Sequence, residues 1–142
     1  MKEISTETEI NAPADRVWQV FTDFPRYPEW NPFMRSFEGE LKVGAQVKVN
    51  LLGMTIKPRL LKVEPNRELR WLDHLIIPGL FDGEHFFQIE PTSDGRVRFV
   101  QGERFTGVLI PVLSAIGLFR RTLRGFNEMN QALKAQAEQD SD

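Results

Sequence analysis

Phe81-Asp82-Gly83-Glu84-His85-Phe86-Phe87-Gln88-Ile89-Glu90-Pro91, followed across Thr92-Ser93-Asp94-Gly95 by Arg96-Val97-Arg98-Phe99-Val100-Gln101-Gly102-Glu103-Arg104-Phe105-Thr106, is the stretch that decides the fold. Two runs rich in Phe and Val, split by a turn that ends in Asp-Gly, read as an antiparallel hairpin. In the first run His85, Phe87 and Ile89 alternate with Glu84, Phe86, Gln88 and Glu90. In the second, Val97, Phe99 and Phe105 alternate with Arg96, Arg98 and Arg104. A register pairing 89 with 97 sets 87 opposite 99 and 85 opposite 101, all on one inner face. A slip of one residue would turn that whole set outward.

On this reading the inner face carries three polar residues, His85, Gln101 and Glu103. His85 faces Gln101 and lies diagonal to Glu103, within reach of a hydrogen bond or ion pair. A buried carboxylate is costly unless paired, so Glu103 needs either a partner or a proton. Two readings follow. The residues are a polar handle in an apolar pocket, orienting a ligand or acting as general acid or base; or they are a structural pair, or a strand end facing water.

Working outward, residues 67–75 alternate Leu69, Trp71, Asp73 and Leu75 against Glu68, Arg70, Leu72 and His74. Trp71 is expected inside, with Asp73 a fourth inner polar candidate and His74 outside. Strand 46–52 offers Val47, Val49 and Leu51 as wall. The face of 56–64 is ambiguous because Pro58 marks an edge or a bulge. Residues 2–11 read as a strand. Pro13 then opens a helix with Val17, Trp18, Val20 and Phe21 on one face. The prolines of 24–33 allow only a turn and one short helical turn. From Pro111 a 3.6-residue period returns through Leu113, Ile116, Phe119, Leu123, Phe126, Asn130 and Leu133, which predicts one long amphipathic helix. About six strands in the middle, a first strand and a closing helix make an α+β layout, a curved antiparallel sheet with a helix on its concave face. Incomplete covering of that face predicts a cavity, unless side chains fill it.

Composition narrows the function. The 142 residues are 41% hydrophobic and 27% charged, enough for one domain with a sizeable core. Eleven Phe and three Trp stand against a single Tyr, so ring area is supplied without hydroxyls to satisfy. With no Cys there is no disulfide framework, thiolate metal site or Cys nucleophile. Eighteen basic and twenty acidic residues give a net charge of −2, which argues against nucleic-acid binding. The two histidines, eleven residues apart and facing opposite ways, do not make a metal site, and no cofactor is implied. Gly79-Leu80-Phe81-Asp82-Gly83 has turn spacing without the helix a phosphate loop requires. Arg120, Arg121 and Arg124 read as a solvated helix face, with an anionic partner as the alternative.

The N-terminus lacks the apolar core of a signal peptide. The apolar run 105–119 is interrupted by Thr106, Gly107, Pro111, Ser114 and Gly117, too short and broken for a membrane span. A cytoplasmic address without stable membrane insertion is the expectation, with a tail from about residue 138 disordered. Within that run, 105–113 reads as the buried first turn of the closing helix, or else as a gate or membrane-touching lip.

Several stretches carry a family likeness: Ile10-Asn11-Ala12-Pro13-Ala14-Asp15-Arg16-Val17-Trp18, Tyr27-Pro28-Glu29-Trp30-Asn31-Pro32-Phe33, Val63-Glu64-Pro65-Asn66-Arg67-Glu68-Leu69-Arg70-Trp71, and Gly83-Glu84-His85-Phe86-Phe87 with Glu103-Arg104-Phe105-Thr106-Gly107. In this order, over roughly residues 2–137, the chain resembles the START-like (SRPBCC) superfamily, in its polyketide cyclase/dehydrase and lipid-transport-like branch. The resemblance implies a helix-grip fold, a seven-stranded antiparallel sheet around a C-terminal helix, in a single domain spanning 1–142. It implies a hydrophobic cavity more firmly than any chemistry. No catalytic constellation carries over, and His85 and Glu103 are weak candidates only.

Three functions are consistent with these readings. The first is binding or carriage of a small hydrophobic or amphipathic molecule, such as a lipid, polyketide-like or aromatic metabolite. Trp30, Trp71, Phe81, Phe87, Phe99, Phe105, Phe119 and Leu123 would line its site, and His85, Gln101 and Glu103 would orient it. The second is a cyclase/dehydrase-type enzyme using His85 or Glu103. The third is a module acting on another protein, of unknown identity, which a filled cavity beside an exposed apolar patch would favour.

Overall fold

The computed structural model describes residues 1–92 and 94–139. In chain order the elements are β1 (Lys2–Ile10), α1 (Ala14–Thr22), α2 (Tyr27–Trp30), β2 (Met34–Glu38), β3 (Lys48–Leu51), β4 (Met54–Ile56), β5 (Arg59–Glu64), β6 (Glu68–His74), β7 (Asp82–Pro91), β8 (Val97–Thr106), α3 (Ile110–Ala115) and α4 (Leu118–Ala137). Two antiparallel sheets result, one in the order β1-β8-β7-β6-β5 and one in the order β2-β3-β4. The long helix α4 packs on β1, β8 and α1. This is the α+β helix-grip architecture.

The eighth strand has a local cause. Proline has no N–H to donate to a ladder, and the segment 56–64 breaks at Pro58 into β4 and β5. β4 stays with the small sheet while β5 joins β6, with a register shift between Leu60 and Lys62. At this divide an isolated bridge pairs Gln46, just before β3, with Arg59 of β5.

The decisive hairpin keeps its predicted faces but not its predicted register. β8 is displaced by two residues, so His85 pairs with Glu103, Phe87 with Gln101 and Ile89 with Phe99. Thr92 N–H donates to Arg96 C=O at 2.8 Å, which centres the turn on residue 94. A shift of two preserves the pleat, so every inward side chain stays inward. Its consequence is chemical: Glu103, not Gln101, lies directly across from His85.

Three further expectations are corrected. The C-terminal helix is two helices, because Gly117 adopts φ 80°, ψ 17° between α3 and α4, a left-handed conformation that glycine takes without steric cost. Ile116, placed on the buried stripe by periodicity, is therefore 61% exposed. The segment 105–113 is not wholly buried: Val108 and Val112 face solvent although Phe105 is interior. Leu75, expected inside, is exposed because β6 ends at His74 and Ile76 turns the chain with positive φ. At the other end, Glu138 accepts hydrogen bonds from Asn11 N–H (2.7 Å) and Lys134 Nζ (2.6 Å). The rest of the expected tail, residues 140–142, lies outside the described residues.

The core is filled by rings. Phe21 packs on Phe87 with centroids 4.8 Å apart and on Phe99 at 5.7 Å, and Phe87 packs on Trp71 at 5.2 Å. Phe126 of α4 reaches Phe33 at 5.5 Å and His85 at 4.8 Å. Such tilted and edge-on pairs are the favoured geometry for aromatic quadrupoles. Among the described residues no helix is long and apolar enough to cross a membrane.

Candidate functional site

Between the two sheets and the start of α4 lies a cavity of about 100 Å³. Phe33, Leu51, Leu52, Met54 and Ile56 form its wall on the small sheet, and Leu118 and Thr122 close it from α4. The large sheet contributes Asp73, Phe81, His85, Glu103 and Phe105. Leu52 and Met54 are exposed and stand at its mouth. The volume matches about three waters in the liquid and is well below the several hundred Å³ of a typical ligand pocket.

A hydrogen-bonded chain runs from this cavity into the core. Asn130, fully buried on α4, accepts at Oδ1 from Gln101 Nε2 (2.8 Å). Gln101 Oε1 in turn accepts from His85 Nε2–H at 2.9 Å. This direction leaves the lone pair of His85 on Nδ1, which lies 3.5 Å from Glu103 Oε1. The geometry is that of an ion pair, but the electrostatics are not. Burial lowers the His85 pKa to about 3, against a smaller upward pull from Gln101. Burial, helped by the nearby Asp73 carboxylate, raises Glu103 to about 8. At neutral pH both are uncharged: an imidazole acceptor faces a carboxylic acid. Asp73 is also raised, chiefly by burial.

Gly83 makes room for this arrangement. It pairs with Asp73 on β6 and with Phe105 on β8, and a Cβ at this position would fall on Glu103 Oε2. The Glu103 carboxyl thus lies in a notch that only glycine leaves open. Gly83→Ala is expected to push the carboxyl towards the mouth, rehydrate it and bring its pKa down towards 4.5. A carboxyl-selective NMR titration reads this directly; an unmoved Glu103 pKa would refute the notch.

The residues singled out from sequence are distributed unevenly. Phe81, His85, Glu103 and Phe105 line the cavity together. Trp71, Phe87 and Phe99 are fully buried packing groups, and Gln101 is the middle link of the polar chain. Phe119 packs behind the wall against Phe105 at 4.8 Å, while Leu123 borders grooves on the outer side of α4. Trp30 is half-buried against Tyr27. Leu51, expected as wall, lines the cavity, whereas Leu52, Met54, Ile56, Leu118 and Thr122 had no site role in the sequence reading. The apolar alternation of Leu52, Met54 and Ile56 signals a strand face, but Pro58 hides which way it points. His74 faces outward with Nδ1 2.7 Å from Asp82 Oδ1. Among the described residues no group of three or more His, Asp or Glu side chains is placed to hold a metal ion.

Three segments among the described residues expose apolar side chains, the first of them at the mouth. They are Leu52 and Met54 at the β3–β4 turn, Leu75, Ile76 and Ile77 after β6, and Val108, Val112 and Ile116 in and beside α3. The loop after β6 is tied to the segment before α3, since Val108 N–H donates to Gly79 C=O and Leu109 N–H to Leu80 C=O.

Residues 1–138 match the family described as polyketide cyclase / dehydrase and lipid transport. The chain belongs to that family. Solved structures agree on the polyketide cyclase / dehydrase fold. The ZhuI aromatase/cyclase from a Streptomyces species superposes with a TM-score of 0.73 at 20% identity, over 96% of this chain and 93% of that one. A hypothetical protein from Helicobacter pylori gives 0.80 at 18% identity, over 96% and 88%. The di-domain aromatase/cyclase BexL gives 0.75 at 15% identity, over 97% of this chain and 47% of its own. No curated protein matches the sequence. At these identities the structures establish a shared fold rather than a shared reaction.

Proposed function

We propose that the protein binds a small hydrophobic or amphipathic molecule at the cavity between the sheets and α4. The observation that carries this reading is the His85–Glu103 pair, a donor and an acceptor held uncharged at the bottom of an apolar cleft. A few convergent polar groups in an apolar concavity are the usual make-up of a small-molecule site. The cavity admits the end of a ligand rather than a whole one, so the remainder lies along the apolar rim or displaces the β3–β4 turn. Membership of a polyketide cyclase / dehydrase and lipid transport family supports this class of ligand.

Native mass spectrometry of protein purified without detergent tests the reading. A co-purified small molecule, lost in a Phe81→Glu variant, is the expected result. Ligand-free protein whose His85 and Phe105 resonances ignore added apolar compounds would overturn it.

Two observations favour other readings. The same dyad is suited to acid–base chemistry of the cyclase/dehydrase type, with the Glu103 acid as donor and His85 Nδ1 as acceptor. Turnover of a candidate polyketide that survives both His85→Ala and Glu103→Ala would remove those residues as catalysts. The nearly filled interior beside an exposed apolar rim favours a protein-interaction module. Charge substitutions at Ile76 and Val112 separate it from ligand binding, because they spoil a docking rim while leaving the inner polar groups untouched.

A further inference from the structure

The charges around the cavity restrict what its occupant can carry. Among the lining residues the ionisable groups are Asp73 from β6, His85 from β7 and Glu103 from β8. The small sheet and α4 contribute none, and no Lys or Arg reaches the lining. The Thr122 hydroxyl donates to Leu118 C=O at 2.9 Å, which leaves it only as an acceptor. The cavity thus holds two carboxyl groups, a neutral imidazole and a used hydroxyl, walled by apolar side chains.

We infer that the buried end of the ligand is an uncharged oxygen function, an alcohol, phenol or ketone, and that the site rejects molecules whose inward end is a carboxylate or phosphate. This rests on the small-molecule reading above and names its chemical class. An anionic end would enter beside Asp73 with no cation to meet it, so it would pay both desolvation and like-charge repulsion. An ammonium end would find only the half-buried Asp73 carboxylate, and taking both ions out of water in an apolar cavity costs more than that one contact returns. A hydroxyl meets neither cost. It can accept from the Glu103 acid and donate to His85 Nδ1, spanning two atoms that stand 3.5 Å apart, just beyond a good direct bond. A ketone uses the Glu103 donor alone. Discrimination of this kind comes from the polar group that would be left unpaired, and it exceeds what apolar contacts supply.

The test uses the full chain and three probes of matched shape: 4-ethylphenol, 4-ethylbenzoate and 4-ethylbenzylammonium, titrated at pH 7 and followed by NMR of the His85 and Phe105 signals. The expected order places 4-ethylphenol about tenfold or more ahead of both charged probes. The benzoate should gain as pH falls towards its own pKa. Asp73→Asn should narrow the phenol–benzoate gap; should that variant fail to fold, the probe order and its pH dependence in the parent protein decide the matter alone. Equal or tighter binding of either charged probe would overturn the inference while leaving ligand binding intact, as would a gap that Asp73→Asn leaves unchanged. Failure of all three to bind, together with ligand-free native spectra, would remove the binding reading and this inference with it.

Discussion

Glu103→Gln is expected to abolish a loss of stability that the parent protein suffers as pH rises through neutrality. The folded chain holds the Glu103 proton up to about pH 8, whereas the ordinary value is 4.5. Between these limits the native state binds a proton that the unfolded state has lost, so stability falls with increasing pH. His85 runs the other way: its ordinary value of 6.5 drops to about 3 in the fold. The unfolded state therefore binds the extra proton between pH 3 and 6.5, and stability rises with pH there. The two slopes oppose each other from 4.5 to 6.5 and leave a plateau. Above 6.5 only the Glu103 slope remains, and the parent protein should lose about 2 kcal/mol by pH 8. Gln keeps the shape and a donor but cannot ionise, so the variant should be flat above 6.5 and keep the acid limb due to His85. Urea titrations at intervals from pH 4 to 9 measure both curves. Parallel alkaline losses in parent and variant would show that Glu103 is not the group responsible.

The largest loss from a single truncation should come at Phe126. Its ring is fully buried and touches both Phe33, just before β2 of the small sheet, and His85 on the large one. It is thus the wedge that fixes α4 against both sheets. Phe126→Ala should cost about 3–5 kcal/mol, the transfer loss of a buried ring plus the void it leaves. The new space adjoins His85, so the variant should also bind 4-ethylphenol more tightly than the parent protein, provided it is studied below its lowered unfolding midpoint. Denaturant unfolding gives the first quantity and the NMR titration the second. A cost under about 1 kcal/mol would mean that the surroundings collapse onto the site and that Phe126 is not a wedge.

The hairpin 81–106 shows how far a sequence pattern reaches. Strict alternation made its inward face legible, and His85, Glu103 and Phe105 point where that alternation requires. Which inward residues face one another was not legible. Pairings that differ by two residues present identical patterns, and the choice lies in the turn, where Thr92 bonds to Arg96. The small-sheet wall was hidden for a related reason. Pro58 interrupts the alternation, and only the separation of β4 from β5 sends Met54 and Ile56 to the cavity. Ile116 fits the helical period but lies beyond a left-handed Gly117, and period alone does not distinguish a continuous helix from a broken one.

By itself the sequence determined the α+β class, the order of elements, the family and the apolar, Phe-rich character of the interior. The class, the order and the interior follow from periodicity and composition, and the family from the resemblance of its motif stretches, all of them properties of the chain read locally. Only the tertiary structure decided what the Phe side chains do. Most of them fill the core and leave a small cavity where a ring-lined pocket was expected, because the volume left between two curved sheets and a helix depends on how rings interlock across elements. The same holds for the polar residues. A His and a Glu on one sheet face have ordinary pKa values until the register, the Gly83 notch and the covering helix remove the water around them. Burial without a counter-charge then makes both neutral, and with that the site acquires its chemistry.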